Sequence, residues 1–80
     1  MRRVSVFGST GSVGRNTIDL ISRNSDVYTV VALSGGVNVK LLAEQAIALR
    51  AQIAVVAHEH LLADLQSALA GSDVHARAGR

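Results

Sequence analysis

The sequence predicts an α/β chain built on a parallel sheet, and three observations carry that reading. Short β-rich runs alternate with amphipathic stretches. A glycine loop, Gly8-Ser9-Thr10-Gly11-Ser12-Val13-Gly14, joins the first run to the first helix-like stretch. The third run, Ile53 to Ala57, is apolar throughout. Such alternation argues right-handed strand–helix–strand crossovers. An unbroken apolar run is typical of a parallel strand covered on both faces.

Val4 to Phe7 reads as the first strand. The glycines that follow have G-x-x-G-x-x-G spacing. Gly8 allows a sharp turn, Gly11 lets backbone approach a pyrophosphate, and Gly14 permits close helix–strand packing. Val13 to Ser22 reads as a helix with Ile18 and Ile21 on one stripe. Asn24-Ser25-Asp26 is a turn. Tyr28 to Leu33, rich in β-branched residues, is the second strand, and Ser34 to Asn38 the second loop. Val39 to Leu49 is a helix carrying Leu42, Ala43, Ala46 and Leu49 on one face. Glu59 to Leu69 is a third helix with Leu61, Leu62, Leu65 and Leu69, stopped by Gly71. Val74 to Ala76 begins a fourth strand. About four strands and three helices make the first half of a Rossmann-like sheet. The doubly wound rule orders it 3-2-1, with the fourth strand returning to the other side of the first. A ligand then sits beyond the strand C-termini beside strand one, where the glycine loop and the loop after strand two meet.

Eighty residues make one small domain, which buries about 60–65% of its unfolded surface. With 49% apolar and 18% charged residues the chain is globular, not disordered. It has no cysteine, which excludes a disulfide framework or thiolate metal site and fits a reducing cytoplasm. The net charge of +2 comes from scattered residues: Arg2, Arg3, Arg15, Arg23, Lys40, Arg50, Arg77 and Arg80 on the basic side. Phe7 and Tyr28 are the only Phe, Tyr or Trp residues. Without a basic cluster interleaved with aromatics, nucleic-acid binding is disfavoured. No apolar run reaches the roughly 18 residues of a membrane span, and Val4 to Phe7 is too short for a signal-peptide core. Half a doubly wound sheet leaves an exposed edge and one incompletely covered face. The chain therefore reads as a fragment of low stability, expected to melt below about 60 °C.

A strand, a tight turn and a helix start in that order make a phosphate cradle. The N–H groups of the first helical turn face the anion, and the helix dipole favours its charge. The hydroxyls of Ser9, Thr10 and Ser12 bond phosphate or cap the helix; a plain capped turn is the competing reading. NAD-binding folds usually place a carboxylate after the second strand for the ribose 2′-hydroxyl. Here no carboxylate lies between Asp26 and Glu44, which favours NADP. Asn38, with Lys40 or the start of the second helix, would take the 2′-phosphate; the competing reading is a flexible loop with a helix cap. His58 and His60 fall about 200° apart on a helix, whereas the zinc helix pattern spaces its histidines i, i+4. They read as solvated or capping residues, and His75 as an ordinary strand residue. Glu44, Glu59, Asp64 and Asp73 are scattered, and no Ser/His/Asp constellation arises. No catalytic or metal-ligating residue is assigned.

Phe7 to Gly14, then Thr17, Val30-Val31-Ala32-Leu33 and Asn38-Val39 closely resemble the N-terminus of the 1-deoxy-D-xylulose 5-phosphate reductoisomerase family. The resemblance runs over essentially all 80 residues. It implies the NADPH-binding part of an enzyme of non-mevalonate isoprenoid biosynthesis. That enzyme isomerises 1-deoxy-D-xylulose 5-phosphate and reduces the product to 2-C-methyl-D-erythritol 4-phosphate, with Mg or Mn in the full-length protein. It implies cofactor-binding roles for Gly8, Thr10, Gly11, Ser12 and Val13 at the phosphates, and for Gly36, Val37 and Asn38 near the 2′-phosphate. Members often carry a basic residue where this chain has Val37, so the side-chain charge pair is lost there. The resemblance also implies that residues 1–80 are a partial NADP-binding domain. Catalytic, metal-binding and C-terminal domains lie outside this chain, in a cytoplasmic homodimer acting on a small molecule. Two other readings remain. One is the front of another NADP oxidoreductase, of semialdehyde dehydrogenase or extended short-chain epimerase type, whose loops read G-A-T-G-x-[IV]-G. The other is a non-catalytic nucleotide-binding or scaffold domain.

Overall fold

In the computed structural model the described residues are 2–79, with Ser12 described by its backbone alone. The chain runs β1 (Arg2–Phe7), α1 (Ser12–Arg23), β2 (Tyr28–Gly35), α2 (Val39–Leu49), β3 (Ile53–Val56), a 3₁₀ turn (Glu59–Leu61), α3 (Leu62–Ala68) and β4 (His75–Ala78). All strand pairings are parallel. The expected α/β class and the strand–helix alternation are present. The third helix divides into a 3₁₀ turn and seven α residues, and β2 runs two residues further than the sequence suggests, to Gly35.

The strand order corrects one expectation. It runs β1-β2-β3-β4, so β4 pairs with β3 at Ile53↔His75 through Val56↔Ala78 instead of returning beside β1. The reason lies in α3. This helix packs on α2 and on β4, which buries Leu65 and Leu69 in the common core. A return past β1 would carry α3 to the opposite face of the sheet, because crossovers keep one hand. Leu65 and Leu69 would then lose α2. Strand order therefore does not reverse at β1 among the described residues, and β1 is an edge strand.

With every crossover stepping the same way, the helices share one face, α1 on α2 and α2 on α3. Beneath them lie Val6, Val30, Leu33, Ala54 and Val56 of the sheet and Ile21, Leu42, Ala43 and Ala46 of the helices. Val30 and Leu33 are three apart, yet both are buried, because the β1–β2 register shifts opposite Val4/Ser5 and leaves Val31 of β2 without a partner in β1. The opposite face carries alternate residues that are only half-buried or exposed, including Phe7, Ile53, Val55 and Arg77. The apolar run of β3 is thus covered on one face only among the described residues, which departs from the two-sided burial its sequence suggests.

Candidate functional site

The C-terminal ends of β1 and β2 lie side by side, Phe7 opposite Ser34, and place the two loops together. Gly8 leaves β1 with φ +70°, a conformation that costs an L-residue about 1–2 kcal/mol. Gly11 closes the turn, its N–H donating to Gly8 O at 3.0 Å, and becomes the N-cap of α1. Three residues on, Gly14 presses its Cα against the loop. A Cβ there would collide with Gly8 O and lie 2.7 Å from Ser9 Cα. The sharp turn at Gly8 and the close helix–strand approach at Gly14 are both present as the spacing predicts. Gly11 differs. Its backbone is ordinary, at φ −78°, and a Cβ would meet only Gly8 O at 3.5 Å. Among the described residues nothing requires glycine there.

Three neighbours hold the loop. From β2, Ser34 O accepts from Ser9 N–H at 2.8 Å, and Ser34 Oγ accepts from Gly8 N–H at 3.3 Å. From α2, Gln45 Nε2 donates to Ser9 O at 2.9 Å. From α1, Arg15 Nε donates to Thr10 O at 3.1 Å. The N-cap of α1 is a glycine and supplies no side-chain cap, so the first-turn N–H groups that helix geometry leaves without an intrahelical partner are capped by no side chain among the described residues. An unpartnered helix start with an open glycine before it suits an anionic group.

The hydroxyls behave differently from one another. Ser9 is fully buried, so its hydroxyl neither reaches a ligand nor caps α1, contrary to the sequence reading. Thr10 is half-buried, and its side chain lies against Gly35, where a Cβ would come within 3.0 Å of Thr10 Cγ2. The Ser12 side chain lies outside the described residues; its backbone opens α1. Val13 is 78% exposed at the mouth of the loop.

The second loop is looser. Gly36 has open space where a Cβ would stand, and its carbonyl accepts from Ala57 N–H at 3.1 Å. Val37 is 66% exposed. Asn38 is the N-cap of α2, and its Oδ1 accepts from Leu41 N–H at 3.2 Å. The capping role read beside the phosphate role is therefore occupied by the oxygen, while Nδ2 makes no hydrogen bond among the described residues. On the helix-free face, at the C-terminal end of the sheet, an open groove of about 370 Å³ is lined by Phe7, Gly8, Ala32, Ser34, Gly36 and Val55 among others, and by none of Thr10 to Val13, Val37 or Asn38.

Sequence reasoning missed two residues of this assembly. Ser34, read as loop, is the β2 residue that holds the glycine turn. Gln45 is buried on the face of α2 whose apolar members were named without it; a polar residue three places after Leu42 in an apolar stripe was the available signal. One geometric reading also changes. His58 is extended ahead of the 3₁₀ turn, so the His58 and His60 rings stack at 5.4 Å instead of pointing apart. No group of three or more metal-ligating side chains stands together among the described residues.

Residues 4–80 match the family model of 1-deoxy-D-xylulose 5-phosphate reductoisomerase. The reductoisomerase of Ruegeria pomeroyi is 60% identical over 79 residues, which is 99% of this chain and 20% of that protein. The solved reductoisomerase from Zymomonas mobilis in complex with NADPH superposes with a TM-score of 0.96 at 52% identity, covering 98% of this chain and 21% of that one. A second solved reductoisomerase, in complex with NADPH, fosmidomycin and magnesium, has a TM-score of 0.90 at 25% identity over 99% of this chain and 20% of that one. The chain thus spans about a fifth of the length of the relatives it matches. A glycine turn fixed by packing, a family model matched from β1 onward and this depth of identity lead to one assignment: the chain belongs to the 1-deoxy-D-xylulose 5-phosphate reductoisomerase family.

Proposed function

We propose that this chain is the NADPH-binding N-terminal part of a 1-deoxy-D-xylulose 5-phosphate reductoisomerase. The observation that carries the reading is the glycine loop. Gly8 and Gly14 are demanded by the fold, but Gly11 and the uncapped start of α1 are left open toward solvent. Those features fit a pyrophosphate, whose oxygens would accept from the first-turn N–H groups of Ser12, Val13 and Gly14. Gly8, Thr10, Gly11, Ser12 and Val13 form this side of the proposed site. Gly36, Val37 and Asn38 form the side that would take the adenosine 2′-phosphate, with the Asn38 Nδ2 donors available and no carboxylate to repel the phosphate.

When bound, NADPH supplies the hydride of the reduction. The residues of this chain bind and orient the cofactor and leave its reacting end to the remainder of the protein. Residues 1–80 act as a partial NADP-binding domain. Among the described residues no group of three or more metal-ligating side chains stands together. The divalent ion, Mg or Mn, and the catalytic groups belong to further domains. The resemblance and the depth of identity support the rest of the reading: a cytoplasmic homodimer that converts 1-deoxy-D-xylulose 5-phosphate to 2-C-methyl-D-erythritol 4-phosphate. The test is turnover by the full-length protein carrying this segment. NADPH consumption that depends on 1-deoxy-D-xylulose 5-phosphate is the expected result, and its absence with magnesium and manganese both supplied contradicts the proposal.

A further inference from the structure

Among the described residues two polar residues are buried, Ser9 and Gln45, and the side chain of the second meets the backbone of the first. Gln45 is 8% exposed on α2, between Leu42 and Ala46 in the face that packs on the sheet. Its Nε2 reaches out of that face to Ser9 O. A residue present only to fill space would be apolar, because burying an amide carries a desolvation cost unless it is bonded. Gln45 Oε1 and Ser9 Oγ have no partner among the described residues, so the bond from Nε2 to Ser9 O is the one polar contact that offsets part of that cost. This bond also has a partner on the other side of the same residue. Ser9 N–H is held by Ser34 O, so both backbone groups of Ser9 are fixed, one to β2 and one to α2. The adjoining Thr10 packs with Gly35, which itself lies close to Leu42 of α2.

We propose that Gln45 is a positioning residue. Its bond to the Ser9 carbonyl sets the plane of the glycine turn and thereby aims the open N–H groups of α1 at a cofactor pyrophosphate. The inference rests on the reading of this loop as an NADPH site. It also links the two halves of that site, since the helix that anchors the glycine turn through Gln45 is the one capped by Asn38 in the second loop.

The test compares the wild-type protein with two variants by amide hydrogen exchange, thermal melting and NADPH titration. Gln45→Met keeps length and volume but removes the donor; Leu69→Ala truncates the core under α3, away from the loop. For Gln45→Met the exchange of the Ser9 and Gly11 amides rises about tenfold more than that of Ala54 and Val56 in β3, and NADPH affinity falls about tenfold. Leu69→Ala loosens loop and sheet together. Loop exchange in Gln45→Met that merely tracks the sheet, as in Leu69→Ala, overturns the proposal. If Gln45→Met does not fold, the wild-type protein decides alone: one Gln45 Nε2 proton must exchange as slowly as core amides, and rapid exchange overturns the proposal. Failure of the wild-type protein to bind NADPH overturns the cofactor reading, and with it the purpose of the tether, whereas the exchange ratio separately shows whether the tether holds.

Discussion

The loops after β1 and β2 occupy equivalent places at the end of the sheet, yet the chain treats them in opposite ways. The first is specified from within. A positive φ at Gly8, a forbidden Cβ at Gly14 and a buried Ser9 bonded to β2 and α2 leave it one conformation. The second is held by Ala57 N–H on Gly36 O, by Val39 N–H on Val37 O and by one helix cap, with Gly36 in open space and Val37 exposed. On the proposed NADPH reading the difference separates two tasks. A pyrophosphate is common to all dinucleotides and is met by backbone, so its cradle is built once and rigidly. A 2′-phosphate distinguishes one cofactor from another and, on the proposed reading, is met by side chains, of which exposed Val37 is exchanged without cost to the fold while Asn38 also caps α2.

Substitutions across the two loops should separate accordingly. Gly14→Ala is expected to be the most damaging, because the new methyl meets backbone that has nowhere to go. We predict a loss of at least about 3 kcal/mol, read by chemical denaturation, and an unchanged midpoint would refute the packing account. Val37→Arg should leave stability within about 0.5 kcal/mol. It should raise the preference for NADPH over NADH about tenfold, or about 1.4 kcal/mol, in parallel titrations; equal gains for both cofactors would place Val37 away from the 2′-phosphate. Asn38→Ala removes the cap of α2 and should cost about 1 kcal/mol, a loss that Asn38→Asp largely restores. Failure of that rescue would show that the cap is not the source of the effect. Gly36→Ala meets nothing within 4 Å and should change stability by less than about 0.5 kcal/mol. A large melting shift there would mean that the second loop is as constrained as the first.

Much of this was legible in the residues. The glycine spacing located the turn, the approach of α1 and the start of the helix, because each depends on local sterics that sequence expresses directly. The periodicity of Leu42, Ala43, Ala46 and Leu49 located the buried face of α2 with its boundaries intact. The placement of β4 was not legible in the same way. His75 to Ala78 reads equally well on either side of the sheet, and the choice was made by Leu65 and Leu69 seeking α2, a tertiary preference with no local signal. The hydroxyl of Ser9 failed for a related reason. A hydroxyl in a glycine loop suits a phosphate, but the packing of α2 against the turn buried this one. The angular argument for His58 and His60 assumed a helix that begins one residue too early.

On the proposed reading these two loops together form an NADPH site. Titration of the protein carrying this segment with NADPH and NADH, followed by calorimetry, tests it most directly. Saturable binding that favours NADPH by about tenfold, or about 1.4 kcal/mol, is the predicted result. Equal or tighter binding of NADH would contradict the assignment of Gly36, Val37 and Asn38 to the 2′-phosphate, and no binding of either would contradict the site as a whole.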